Sequence, residues 1–260
     1  MPTLQRAGVK LFFNVYGTGL TVLLSHGYGA TSAMWRGQIK ALDGFRLITW
    51  DLRGHGQSDS PDDPEQYSQA HTVADMAALL DHVGAQQAVI GGLSLGGYMS
   101  LAFHAAHPAR TRALMLFDTG PGFRNDAARQ GWNKTAAARA DAFERNGLAS
   151  LGQGDEVQAA EHRSARGLAL AARGMLAQLD SHVIDSLPTI GVPTLALVGA
   201  DDTPFLVGTA YMARKIPGAT HVILPDAGHA SNINQPAAFN AAVLAFLHAL
   251  PAQAPGTQHG

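Results

Sequence analysis

The sequence predicts an α/β fold, a doubly wound and mostly parallel sheet with one small helical insertion, on three observations. Short apolar runs recur along the chain, bounded by Gly, Asp or Pro and without the alternation of a one-faced strand. Amphipathic helical stripes lie between them. That alternation of strand and helix is suspended once, between Gly120 and Leu187.

Taken in order, Val9 to Tyr16 reads as an antiparallel ribbon at the sheet edge. Val22 to Ser25, Arg46 to Trp50, Ala88 to Gly91, Ala113 to Phe117, Thr194 to Val198 and Val222 to Leu224 read as parallel strands buried on both faces. Val73, Met76, Leu79, Leu80 and Val83 form one helical stripe, and Phe239, Val243, Phe246, Leu247 and Leu250 another. The stretch between Gly120 and Leu187 is Ala-rich and helical in pattern, so residues 120–187 are expected to form a cap over the active site. Residues 1–119 and 188–250 then form the core, and 251–260 a disordered tail. In such a sheet, ligands bind at the carboxyl ends of the strands.

The chain of 260 residues suits one large domain. With 18 Lys plus Arg against 20 Asp plus Glu, nothing favours nucleic acid or an anionic membrane as partner. There is no cysteine, which excludes disulfides, thiolate metal sites and cysteine nucleophiles. The first ten residues carry no apolar leader, and no run approaches a membrane span. The expectation is a soluble, cytoplasmic protein acting on a small, uncharged molecule without metal or organic cofactor.

The sharpest motif is Gly92-Leu93-Ser94-Leu95-Gly96-Gly97, placed after the apolar run ending at Ile90 and before a helical stretch from Tyr98 to Ala106. A serine aimed out of a strand-to-helix turn needs strained backbone angles and small residues on either side. The helix behind it favours negative charge developing at Ser94. Serine also needs a base. Of 12 histidines, His229 is selected because Leu224-Pro-Asp-Ala-Gly-His229 follows the last strand. His221 is placed just before the last strand, His248 in the final helix, and His104 and His107 on or at the end of the helix after the serine turn, positions that suit packing or solvent.

The acid that orients the base belongs at the end of the Thr194 run, in Gly199-Ala200-Asp201-Asp202-Thr203-Pro204. Asp202 is preferred, with Asp201 and Asp118 as alternatives. Two donors are needed for the oxyanion of a tetrahedral intermediate. The backbone N–H of Leu95 is one, and that of Tyr28, in Ser25-His26-Gly27-Tyr28-Gly29, is the other. Asp51-Leu52-Arg53-Gly54-His55-Gly56-Gln57-Ser58 is read as a structural loop held by a charge pair. Trp35, Leu93, Phe123 and Trp132, together with the side chains of Tyr28 and Leu95, are candidate pocket walls, each equally suited to the core.

Taken together, the His26-Gly27 loop, the Asp51 to Ser58 loop, the Ser94 turn, the Gly199 to Asp202 turn and the Gly228-His229 loop resemble the α/β-hydrolase superfamily, in the same order along nearly the whole chain outside the insertion. The resemblance implies the α/β-hydrolase fold, triad roles for Ser94, Asp202 and His229, and oxyanion roles for Tyr28 and Leu95. His229-Ala-Ser-Asn-Ile-Asn-Gln-Pro-Ala-Ala-Phe is similar to the branch that opens 3-oxoadipate enol-lactones, with Leu95 where those enzymes usually carry Met. The activity expected first is hydrolysis of a carboxylic ester or lactone. Cleavage of a carbon–carbon bond in a vinylogous diketone, and a hydrolase-like receptor without turnover, are the alternatives. Aspartate-nucleophile chemistry on haloalkanes or epoxides is set aside because position 94 is serine.

Overall fold

The computed structural model describes residues 2–251. Eight strands form one sheet: β1 (Thr3–Arg6), β2 (Val9–Tyr16), β3 (Thr21–Ser25), β4 (Arg46–Trp50), β5 (Ala88–Leu93), β6 (Thr111–Phe117), β7 (Thr194–Gly199) and β8 (Thr220–Leu224). Their spatial order is β1-β2-β4-β3-β5-β6-β7-β8. The first two neighbouring pairs are antiparallel and the rest parallel. β1 is absent from the sequence reading because Leu4 is the one apolar residue of its Thr-Leu-Gln-Arg and the strand is exposed or half-exposed throughout, with no apolar run to mark it. His221 lies inside β8 rather than before it, since edge exposure allows polar residues at the start of that strand. Apart from Pro251, the tail expected at 251–260 lies outside the described residues.

β3, β5 and β7 are buried along their whole length, which is why their sequences are continuous apolar runs. On one face the sheet packs against the helices Gln69–His82 and Leu95–Ala106, through Met76, Leu79, Met99 and Phe103. On the other it packs against Pro236–His248, through Phe239, Val243 and Leu247, together with Trp35. The helix Gln69–His82 starts where Ser68 accepts a hydrogen bond from the His71 N–H at 3.1 Å, satisfying one orphan donor of its first turn.

Between β6 and β7 the chain forms no strand. It forms the long helix Asp126–Asn146, the helix Ala165–Ala171 running into a wide turn at Ala172–Leu176, and the short helix His182–Ser186. This helical layer has an apolar centre of its own in Ala140, Phe143, Leu168, Ala169 and Ala172, onto which Tyr28 of the core packs. Its inner part sits on the core backbone to backbone: a Cβ on Gly54 would lie 2.5 Å from the Gly167 carbonyl oxygen, closer than carbon can come. The long helix rests on this inner part, with the Trp132 Nε1–H donating to the Leu176 carbonyl at 2.8 Å and Arg173 pairing with Asp141 and Glu144. Among the described residues no helix is long and apolar enough to cross a membrane.

The Asp51 to Ser58 loop is held by charge, but its two charges do not pair with each other. Arg53 donates from Nε and Nη2 to both oxygens of Asp75, at 2.6 and 2.8 Å, with both side chains fully buried. Arg6 adds a third contact at 2.6 Å. Asp51 accepts instead from the N–H groups of Ser32 and Gln57, at 2.7 and 2.8 Å. The Asp75 carboxylate, from the helix after the loop, is thus the true counter-charge of Arg53. Both partners are enclosed, so removing either would strand a buried charge.

Candidate active site

Ser94 directly follows β5 with φ 54° and ψ −115°, a left-handed conformation that costs a non-glycine residue of order 1–3 kcal/mol. The surroundings impose it: its N–H donates to the Phe117 carbonyl at 2.9 Å, and its carbonyl accepts from Thr119 Oγ1 at 2.6 Å and from the Tyr98 N–H at 3.0 Å. Gly92 and Gly96 allow the turn, because a Cβ on either would overlap the Ser25 carbonyl. The following helix begins at Leu95, three residues before the expected Tyr98, so its N-terminal N–H groups lie directly behind the serine.

His229 and Asp202 are brought together although 27 residues separate them. The His229 Nδ1–H donates to Asp202 Oδ2 at 2.9 Å, and Asp202 is 4% exposed against 31% for the imidazole. That bond leaves Nε2 as the free nitrogen. Burial pulls the imidazole pKa down, but the hydrogen bond and charge of Asp202, with Asp118 and Glu156, outweigh it and hold the pKa above the usual histidine value. Phe205 stacks on the ring at 4.9 Å between centroids. Asp201 faces solvent beside this pair.

Asp118, at the end of β6 with φ 45°, is fully buried. Its carboxyl accepts from the Gly199 N–H at 2.8 Å and from the Ser231 hydroxyl, and so links the ends of β6 and β7 to the loop carrying His229. Burial raises its pKa to about 7 against the lowering effect of those hydrogen bonds. Sequence reasoning weighed it as an acid; its contacts are those of a brace. None of His104, His107, His221 and His248 lines the cavity beside Ser94 or pairs with a carboxylate among the described residues.

The Ser25 to Gly29 loop runs past the serine: a Cβ on Gly27 would lie 3.4 Å from the Ser94 Cβ. Neither the Tyr28 nor the Leu95 backbone N–H donates to a protein acceptor among the described residues, which leaves both available as donors. The Tyr28 side chain turns into the helical layer, where its hydroxyl donates to the Leu168 carbonyl at 2.8 Å. Behind this loop three imidazoles cluster: His26 lies 5.1 Å from His55, and His55 lies 5.7 Å from His162 of the helical layer. His26 Nδ1–H donates to the Gly27 carbonyl at 2.7 Å while its Nε2 accepts from the Leu52 N–H at 3.0 Å. His162 Nε2–H donates to the Gly29 carbonyl at 2.8 Å while its Nδ1 accepts from the Gly56 N–H at 3.1 Å. Each must therefore be neutral. Burial lowers the pKa of His26 to about 4 and also lowers those of His55 and His162. Among the described residues no group of three metal-ligating side chains is arranged to hold an ion.

A cavity of about 340 Å³ opens at Ser94 and Leu95. Phe123 and Trp132 line it; Trp35 and Leu93 do not. Both are fully buried in the core on the opposite face of the sheet, where Trp35 packs against Phe117 and Phe239. The remaining wall comes from elements far apart in the chain, including Leu176, which the sequence offers as a packing or pocket residue of the insertion, and Tyr98, Gln178, Phe205 and Tyr211, which the sequence reading did not select. Phe205 and Tyr211 both lie on the helix Thr203–Lys215, directly after Asp202, and proximity to the acid was the one available signal for them.

Comparisons with known proteins agree with the fold. The family described as alpha/beta hydrolase fold matches residues 21–168. The 3-oxoadipate enol-lactonase 2 of Acinetobacter baylyi is 30% identical, over 94% of this chain and 96% of its own. A thermophilic esterase from Thermogutta terrifontis superposes with a TM-score of 0.81 at 32% identity, over 95% of this chain and 96% of its own. The epoxide hydrolase 3 of Siraitia grosvenorii is 36% identical, but over only 44% of this chain and 36% of its own. Family match, sheet order and a serine at the strand-to-helix turn together make this chain a member of the α/β-hydrolase family.

Proposed function

We propose that the protein hydrolyses a carboxylic ester or lactone through an acyl-enzyme at Ser94. The observation that carries this reading is the 2.9 Å bond from His229 to Asp202, in a site whose serine is held at positive φ at the head of a helix. In the first half-reaction Ser94 Oγ adds to the ester carbonyl carbon while His229 Nε2 takes its proton. Asp202 holds the imidazole in the required tautomer and stabilises the imidazolium. The carbonyl oxygen, now an oxyanion, accepts from the Tyr28 and Leu95 N–H groups. The carbon–oxygen bond to the alcohol half then breaks, and His229 returns the proton to the departing oxygen. Water repeats the sequence on the acyl-enzyme and releases the acid.

The enol-lactonase and esterase likenesses, each over nearly the whole chain, favour this chemistry. The epoxide hydrolase likeness stops short of half the chain, and epoxide opening by a covalent route in this fold uses a carboxylate where Ser94 stands. The cavity wall is mostly aromatic and aliphatic, which favours an uncharged acyl or alcohol half. Hydrolysis of p-nitrophenyl esters from acetate to octanoate tests the reading. An initial burst with the wild type, lost in Ser94→Ala, is the expected result. No turnover at any length, or equal turnover by the mutant, overturns it.

A further inference from the structure

One polar group stands out in the apolar cavity. Gln178 lines it, is 8% exposed, and neither atom of its side-chain amide has a hydrogen-bond partner among the described residues; Oε1 is fully enclosed. Buried polar atoms are rarely left so, because their desolvation is then uncompensated. Disorder does not explain it. The Gln178 backbone is clamped to Asn133 of the long helix by two bonds of 2.8 Å, its N–H donating to Asn133 Oδ1 and its carbonyl accepting from Asn133 Nδ2. The amide is pressed against the backbone of Gly122, where a Cβ would lie 2.8 Å from Oε1 and 3.2 Å from the Tyr98 ring. Tyr98 therefore borders the same corner, and its hydroxyl also has no partner among the described residues. Burial keeps that phenol neutral, with a pKa of about 12.

We infer that Gln178, with Tyr98 beside it, is a specificity subsite that reads a hydroxyl group on the substrate, so that the preferred ester or lactone carries an uncharged hydroxyl at a distance from its scissile bond. An amide and a hydroxyl match each other's needs. With Oε1 enclosed against Gly122, a substrate hydroxyl would accept from the Gln178 Nε2–H and donate to the Tyr98 oxygen, whereas an ammonium could accept from neither and a carboxylate would bring an unpaired charge into an apolar wall. A site built to bond a substrate hydroxyl discriminates strongly against the analogue lacking it, since its own polar group is then left unpaired. Gln178 touches neither reacting bond; its role is recognition.

This inference rests on the hydrolase reading above, and the test separates the two. The kcat/KM values of p-nitrophenyl butanoate, hexanoate and octanoate are compared with those of their terminally hydroxylated counterparts, using the wild type, Gln178→Met and Gln178→Leu. In parallel, thermal stabilisation of Ser94→Ala by hexane-1,6-diol is compared with that by hexan-1-ol, which needs no turnover. The wild type is expected to favour the hydroxylated ester at least tenfold at one chain length, and Gln178→Met to bring the ratio of the two kcat/KM values to within about twofold of one, the ratio rather than either rate being the readout. Removing an orphaned amide should also leave the melting temperature unchanged or higher, the opposite of losing a structural contact. Equal losses on both esters, or a wild type that favours the plain ester at every length, overturn the subsite. If no ester is turned over, the hydrolase reading fails, and equal stabilisation by the diol and the alcohol overturns the subsite as well.

Discussion

His229 and the cluster of His26, His55 and His162 have opposite chemistry. His229 is part-exposed, holds a carboxylate at 2.9 Å and has its proton affinity raised. His26 and His55 are fully buried, His162 packs against them, and all three have their proton affinity lowered. Asp51 opposes that lowering at His26 and His162, yet its oxygens are occupied by backbone N–H groups, so neither ring gains a carboxylate partner of its own. The difference teaches that the surroundings decide what an imidazole does. With a paired acid and access to solvent it can cycle a proton; without them it becomes a fixed bracket whose two nitrogens hold backbone groups in place.

The comparison breaks most sharply at the reacting centre. Ser94→Ala and His229→Ala should each lower kcat on a p-nitrophenyl ester by about 10⁴-fold or more with the melting temperature preserved, whereas His162→Gln, which keeps a donor for the Gly29 carbonyl, should stay within about tenfold of wild type. Comparable losses in both groups would erase the distinction. Asp202→Asn should cost about 10³- to 10⁴-fold, because the wrong imidazole tautomer is then favoured. Activity requires neutral His229, so wild-type kcat/KM should rise with pH through a pKa above 6.5, and that limb should fall to lower pH in Asp202→Asn.

A titration of stability sharpens the other half. Between about pH 4 and 6.5 the unfolded chain protonates His26 while the folded chain does not, so stability from this group is complete above 6.5 and is lost as the pH falls towards 4. The loss amounts to about 3 kcal/mol from His26 alone, with His55 and His162 acting in the same direction. Asp118 works oppositely. Its folded pKa of about 7 exceeds the ordinary carboxyl value of 3.8, so its contribution is complete at low pH and lost as the pH rises through 7. Denaturant melts of Asp118→Asn across pH 4 to 8 should isolate the histidine branch, and a flat profile would refute it. The smallest effect expected is on activity in the same variant, a loss of about tenfold in kcat with KM unchanged, since Asp118 braces the loop of His229 without touching the reacting atoms.

What could be read from the sequence was whatever is local. The turn at Ser94, the loop at His229 and the turn at Asp202 each place their residue within a few positions of a strand end, and the parallel strands announce themselves as apolar runs. Trp35 and Leu93 were misassigned to the pocket because composition does not tell which face of a sheet a large side chain meets. Gln178 was invisible for another reason: its importance lies in partners it lacks, and only coordinates reveal a missing bond. The pairing of Arg53 with Asp75, like that of His26, His55 and His162, joins separate segments through side chains that carry no mark of each other in sequence.

The seam between Gly54 and Gly167 divides the molecule's capacity for change. Where two backbones touch, any added side chain is a wedge, so the inner part of the helical layer is a root that must be inherited whole. The long helix above it meets the root through side chains such as Trp132 and Asn133, which can be exchanged singly. New substrate preferences should therefore arise by rewriting Asp126–Asn146, while the root and the machinery beneath it pass unaltered from one specificity to the next.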